Sequence, residues 1–560
     1  MDPLEVHPHI QIPPHSTNIQ RPRNSVLSLL RRVSVFSHIS TLHRPRHPTL
    51  DKLFDDAKKL EARIYRSVLY QKLFQHATYA LLLAALYFIL VGLPLWKGLV
   101  WWMYNFLATK FILTGGCVVF SGTAFLYAFA PLLIVFEKDP MKQDAEAVKS
   151  EPNSIQSCAL LIPCYKSESL IGSTLEAALK VFPAKNIFVI ANGNSPEPLD
   201  NTADVCHKYH VNHIWCPIGS KIIAQFLGCY AAENYPFTLL IDDDCILPPE
   251  FPIVTDRMKG NIKCLGYTIK SVGQGRQPGT LCQQAQDIEY KLSGLQRAFA
   301  GKVGSATFPH GAIALWDREL LMKTFHCHPG FSISEDWFFG HVARELGSRI
   351  LMCTQVFVET ETPPAIFWVD NNESRGGFGE MTIYKQRFYR WNFFFVNGCY
   401  WNMKYILWSW KLGWWEIGAK VFVWQEVYET IIFLLTPFVL PISLIIRPEF
   451  CAILLATTFG MYFINVLIFN EVHLRKKNER VSWVAILYYM PYKITLFLVN
   501  VASCYYSIYK YAKYFAKRHP KVVHDAKVIQ VILDFVELSE NEAGSILRHG
   551  RDDGAKEQHT

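Results

Sequence analysis

The chain has 560 residues, half of them apolar, and carries a formal net charge of +8. That is more apolar material than one small soluble core can hold, which excludes a single compact domain. Its 14 cysteines include no C-x-x-C pair, so they read as reduced, buried thiols and not as a disulfide framework.

The first 45 or so residues are rich in His, Pro, Arg and Ser and lack an early apolar core. They predict disorder and no secretory signal. Residues 77–96 and 111–136 are uncharged apolar runs, each about as long as a helix needs to be to cross a bilayer. The first 76 residues hold twelve Lys or Arg against six Asp or Glu, whereas the intervening loop adds Trp101, Trp102 and Tyr104 between its flanking Lys97 and Lys110. This bias places the N-terminus, and after two crossings the central region, on the cytosolic side.

Residues 137–418 have ordinary soluble composition. An apolar run at 158–163, a polar turn at 165–169, a helical stretch to 181 and a second run at 187–191 alternate as a parallel sheet with crossover helices does. Ligands bind such sheets at the carboxyl ends of the strands. Tyr165, Asn192 and the triplet Asp242, Asp243 and Asp244 stand at those ends. If 238–244 is extended, Asp242 and Asp244 share a face. Two carboxylates there suit Mg²⁺ or Mn²⁺, with waters and phosphate oxygens as the other ligands; a solvated polar turn fits the same residues. Glu335 and Asp336 lie in the aromatic stretch 331–339, where partial desolvation raises a carboxylate towards the range of a general base. The same pair could cap a helix starting near Trp337.

Gln386, Arg387, Arg390 and Trp391 put two phosphate-binding guanidinium groups beside an indole suited to a sugar face. The alternative is an amphipathic membrane-surface helix continuing through 392–410. Lys221, His310 and Gly311 are weaker signals by themselves.

Residues 421–446, 451–470 and 481–509 are again apolar, interrupted by Glu426, Glu429 and Lys493. The two glutamates share a helix face and either line a polar path with Lys493 or pair with it. Arg475, Lys476, Lys477 and Arg480 mark a cytosolic loop. Lys510, Lys513, Lys517, Arg518 and Lys521 ask for the same side, which five crossings do not allow. Pro491 therefore marks 481–509 as a broken or re-entrant element, and five versus six spans stay open. The expected partition is a disordered cytosolic region 1–76, two spans in 77–136, a catalytic domain 137–390, interfacial helices 391–420, a membrane region 421–512 and a cytosolic or disordered tail 513–560.

In this order the motifs resemble the family 2 membrane glycosyltransferases (hyaluronan, chitin and cellulose synthases), closest in pattern to fungal type 2 polysaccharide synthases. Asp242-Asp243-Asp244 matches the family's D-x-D, and Ser334-Glu335-Asp336 its acidic-Asp motif. Gln386-Arg387-Phe388-Tyr389-Arg390-Trp391 approximates Q-x-x-R-W, with Arg387 at the strict glutamine position. Asn192 stands where the family has an aspartate. The stretch 364–386, with glycines at 376, 377 and 379, stands near the family's gating loop.

The resemblance implies an α/β glycosyltransferase-A domain between transmembrane helices. It implies inverting, processive transfer from a UDP-sugar to a β-linked polysaccharide at the cytosolic face of the plasma membrane, with translocation. Asp336, with Glu335, would be catalytic. Tyr165, Asn192, Lys221, Asp242, Gln386, Arg387 and Arg390 would bind the nucleotide sugar, Asp244 and Asp242 the Mg²⁺ or Mn²⁺, and Trp391, His310 and Gly311 the acceptor. The expected partners are donor, polysaccharide and bilayer, with no nucleic acid. Two rivals share these features: a non-processive enzyme making a glycolipid, as ceramide glucosyltransferases do, and a receptor or channel with an inactive domain.

Overall fold

The computed structural model describes residues 48–64, 68–90, 98, 101–102, 105, 116–136, 153–329, 334–368, 381–517 and 521–538. Residues 1–47, the aromatic residue Phe331 and the glycines of the expected gating loop lie outside the described residues, whereas the remainder of the N-terminal region expected to be largely disordered includes a helix, Pro48–Ile64, that buries Leu50 in the domain core.

The strands are β1 (Cys158–Cys164), β2 (Ile187–Asn192), β3 (Asn212–Cys216), β4 (Phe237–Ile241), β5 (Cys245–Ile246), β6 (Ile262–Val272), β7 (Ile313–Asp317) and β8 (Arg349–Glu361). They form one sheet in the order β3-β2-β1-β4-β7-β6-β8-β5. The first four neighbours are parallel, as is β6 with β8, while β7 runs antiparallel to both β4 and β6. The mixed, mostly parallel α/β sheet expected of a glycosyltransferase-A domain is present. All seven residues of β1 are buried, as a strand covered by helices on both faces requires. Strand order reverses at β1, whose neighbours are β2 and β4, and ligands bind beside such a switch point.

Helix Leu281–Val303 begins with a capping box in which Thr280 accepts from the Gln283 amide and the Gln283 side chain accepts from Thr280. Its end meets the apolar helix Trp415–Ile446 at a glycine contact, since a Cβ on Gly418 would lie 2.1 Å from the Val303 carbonyl oxygen. No larger residue permits that approach, and it joins the α/β domain to the C-terminal apolar helices.

Among the described residues three helices are long and apolar enough to cross a membrane: Trp415–Ile446, Pro448–Leu474 and Trp483–Lys510. Both N-terminal apolar runs are helical where described, as Val68–Leu90 and Gly116–Phe129. A 3-10 segment, Ala130–Phe136, continues the second and buries Leu132 and Ile134 against the domain helix residues Cys282 and Ala285. The break expected at Pro491 is absent: one helix runs from Trp483 to Lys517. Proline removes one backbone bond, and the burial of Ile486, Tyr489, Tyr492 and Leu496 against the domain holds the helix on both sides of it.

Candidate active site

The aspartate triplet is not extended. It forms the turn between β4 and β5, with the Cys245 amide donating to the Asp242 carbonyl at 3.2 Å. The neighbouring carboxylates Asp242 and Asp243 meet different partners. Asp243 turns to the far side, where its carboxylate accepts from the Ser167 hydroxyl and its carbonyl from Thr174 at 2.8 Å. Asp242 meets the Lys221 ammonium at 2.6 Å.

Lys221 is the first residue of helix Lys221–Ala231, and its ammonium also reaches Glu335 at 2.9 Å and the Gly311 carbonyl at 3.5 Å. Burial opposes the lysine charge, but Asp242 and Glu335 outweigh it and hold the pKa well above its ordinary value. In turn Lys221 outweighs burial at Glu335 and holds that carboxyl below its ordinary value. A lysine that is a weak signal in sequence is thus the cation that ties the two acidic motifs together.

Helix Glu335–Glu345 places both acidic residues in its first turn, after Ser334 in the left-handed region at φ 57°. Ser334, not the acidic pair, is therefore the residue at the helix cap. Burial first, and the charge of Glu335 second, push Asp336 up to about 7. Gly311 packs on it: a Cβ there would come within 2.8 Å of the Asp336 carboxylate. Register Ile241↔Ile313 between β4 and β7 carries the segment before β7 to this point, and the Asp242 amide donates to the Ala312 carbonyl at 3.0 Å. His310 accepts from the Ala312 amide; burial, then Arg297 and Lys221, push its pKa well below its ordinary value and keep it neutral.

Asn192, at the end of β2, donates its side-chain amide to the Cys164 carbonyl at 2.7 Å. It pins the end of β1 next to Tyr165. Arg390 acts on Glu335 as a nearby positive charge. Arg387, by contrast, is drawn to Glu289 at 2.6 Å and lies 4.7 Å from the Trp391 ring centre. Trp391 in turn lies 6.2 Å from Tyr290, which meets His310 edge-on at 5.9 Å.

Residues Arg387–Trp391 form a π-helical turn, closed by the Asn392 amide donating to the Arg387 carbonyl at 2.9 Å. Such a turn absorbs one extra residue, so Gln386 stands one turn before Trp391 despite its displaced position in sequence.

Sequence reasoning missed Arg297. On helix Leu281–Val303, seven residues after Tyr290, it lies over the Phe308 ring at 4.3 Å, and its buried Nη1 has no partner among the described residues. Burial lowers its pKa to about 10, against the pull of Asp336 and Glu426. A basic residue one turn-pair after an aromatic, on the helix that packs behind the site, was the available signal. The expected pairing of Glu426 or Glu429 with Lys493 is not formed. Glu426 accepts from Trp337 at 2.9 Å and from Asn402 at 2.8 Å, Glu429 accepts from Gln425, and Lys493 pairs with Glu289 at 3.3 Å.

The triplet fits a divalent cation. Burial and the neighbouring Asp244 push Asp243 up to about 7, and burial and Asp244 raise Asp242 despite Lys221. That crowding of negative charge is what a bound cation relieves. Among the described residues no three His, Cys, Asp or Glu side chains converge as a metal site.

Residues 156–379 match the model of a family described as glycosyltransferase like family 2. A poly-β-1,6-N-acetyl-D-glucosamine synthase of Staphylococcus epidermidis is 25% identical over 182 residues, which are 31% of this chain and 42% of that protein. The chain thus spans about two fifths of the length of the curated relatives it matches. Among solved structures, a mannosyltransferase of Pyrobaculum calidifontis in complex with GDP-Man and Mn²⁺ aligns with 62% of this chain and 98% of its own at 13% identity and a TM-score of 0.35. Staphylococcus aureus TarS 1–349 in complex with UDP-GlcNAc aligns with 62% and 91% at 15% identity and a TM-score of 0.31. The central α/β region of the chain is thus similar, over residues 156–379, to the glycosyltransferase like family 2.

Proposed function

We propose that the chain is an inverting, metal-dependent glycosyltransferase that extends a β-linked polysaccharide from a UDP-sugar at the cytosolic face of a membrane and feeds the product into its own membrane region. The observation that carries this reading is the meeting of Asp242 and Glu335 on one lysine, Lys221, with Asp336 alongside. The name of the S. epidermidis relative and the three membrane-length helices support it.

The uracil lies near Tyr165 and Asn192, at the ends of β1 and β2. Asp244 and Asp242 would hold the divalent cation, which when bound neutralises diphosphate charge. Lys221 and Arg390 add positive charge where the leaving diphosphate gathers negative charge, the point at which electrostatic stabilisation counts most. Asp336 takes the proton from the acceptor hydroxyl as its oxygen attacks the anomeric carbon from the face opposite the diphosphate, and the configuration inverts. Trp391 stacks on the acceptor sugar, with Gln386 one turn away, while Arg387, held by Glu289, positions that indole.

Purified protein with a panel of nucleotide sugars and Mn²⁺ is expected to release nucleotide and form a polymer detectable by mass. No nucleotide release overturns the reading, and a single sugar added to a lipid establishes the glycolipid enzyme instead. Asp244→Ala is expected to remove the response of donor binding to added Mn²⁺, measured by titration calorimetry; an unchanged response places the metal elsewhere. Trp391→Ala is expected to shorten the product while donor hydrolysis survives. Loss of an aromatic contact worth about 0.5–1.5 kcal/mol weakens acceptor hold by up to roughly tenfold, and unchanged product length refutes the stacking role.

A further inference from the structure

Helix Trp483–Lys517 begins and ends on the catalytic domain, and we infer that it lies along the membrane surface on the domain's side and does not cross. Just before it, Glu479 pairs with Lys270 of β6 at 2.9 Å and with Lys291 of helix Leu281–Val303 at 3.0 Å. Just after it, Val522, Val523, Ile529, Ile532 and Leu533 are buried in the same core as Phe226, Trp316 and Phe325 of the domain. Leu50, on the N-terminal helix Pro48–Ile64, is buried in that core too.

Distance decides the matter. From Lys517 to Val522 is five residues, which reach at most about 18 Å when fully extended, whereas the hydrocarbon core is about 30 Å thick. A helix delivered to the far side of the bilayer at Lys517 could not return Val522 to the domain core.

Between its ends the helix has two faces. Ile486, Tyr489, Tyr492 and Leu496 are buried against helix Leu281–Val303, and Asn500 and Ser503 accept hydrogen bonds from Asn392 at 2.8 and 2.7 Å. The outer face exposes Val484, Leu487, Ile494 and Leu498 at steps of three, four or seven residues, one stripe along the helix, and beyond it Tyr505 donates to the Leu434 carbonyl of helix Trp415–Ile446 while Tyr509 stacks on Tyr79 at 5.7 Å. The partner of the stripe is the boundary between headgroups and acyl chains, which takes up the apolar face of an in-plane helix.

On this geometry only Trp415–Ile446 and Pro448–Leu474 cross after the domain. They form a hairpin whose tip is Arg447, and the tail stays with the catalytic domain. The test uses the full chain with a C-terminal epitope in sealed vesicles of both orientations. Cys327, an exposed cysteine at the end of domain helix Arg318–Cys327, reports the side of the domain through an impermeant maleimide, with Cys327→Ser as its control. The epitope is expected to be lost to added protease only in vesicles where Cys327 labels. Arg447→Cys is expected to label only from the opposite side. Protection of the epitope where Cys327 labels, or labelling of position 447 from the domain's side, overturns the inference.

Discussion

Asp336→Asn is expected to lower sugar transfer by roughly 10²–10⁴-fold, the usual worth of a general base, while UDP binding stays near that of the wild type. The substitution removes the proton acceptor but touches neither Lys221 nor the aspartate triplet. Because burial and Glu335 hold Asp336 at about 7, the active, ionised form is populated above that pH. Wild-type turnover should therefore fall as pH drops through about 7, and the residual activity of the variant should lack that limb. The stability sign runs the other way. A carboxyl whose folded pKa lies above its unfolded value loses stability as pH rises through the folded value, so at pH 8 the asparagine variant should melt no lower than the wild type. Transfer within tenfold of wild type, or an unchanged acid limb, would remove Asp336 from the role of base.

Lys221→Met is expected to be the second severe change. It leaves Asp242 and Glu335, now 2.6 and 2.9 Å from the ammonium, facing each other without their shared cation. The donor loses the cation proposed to face its diphosphate, and a hydrogen bond to a charged group is worth roughly 1.5–3 kcal/mol, so UDP binding should weaken by roughly ten- to a hundredfold. The loss should appear in calorimetry even without an acceptor. Lys221→Arg keeps the charge and should recover part of it. If the methionine variant binds UDP as the wild type does, Lys221 serves to join the acidic motifs and makes no contribution to the donor.

How much of this was legible follows from how local each feature is. The parallel half of the sheet was, because β1, β2 and β4 are short apolar runs with polar residues at their carboxyl ends. Those ends are the candidate site, so Tyr165, Asn192 and Asp242 could be named before any coordinates. The triplet's turn was not legible, since three aspartates after a strand suit an extended end or a turn equally well. Gln386 shows a subtler limit: its displacement reads as a broken motif in sequence, and the π-helical turn over Arg387–Trp391 that follows it has no local sequence signal.

By itself, then, the sequence determined the α/β domain between apolar segments, the acidic motifs and the aromatic Arg-Trp end of the domain, because apolar periodicity and neighbouring charges are properties of adjacent residues. The tertiary structure alone decided the partners: Lys221 with Glu335, Arg387 and Lys493 with Glu289, Glu426 with Trp337, and the tail with the domain core. Arg387 is 98 residues from Glu289 and Lys493 is 204. No local pattern encodes such a pair, since a buried charge takes whichever opposite charge the folded chain brings within reach.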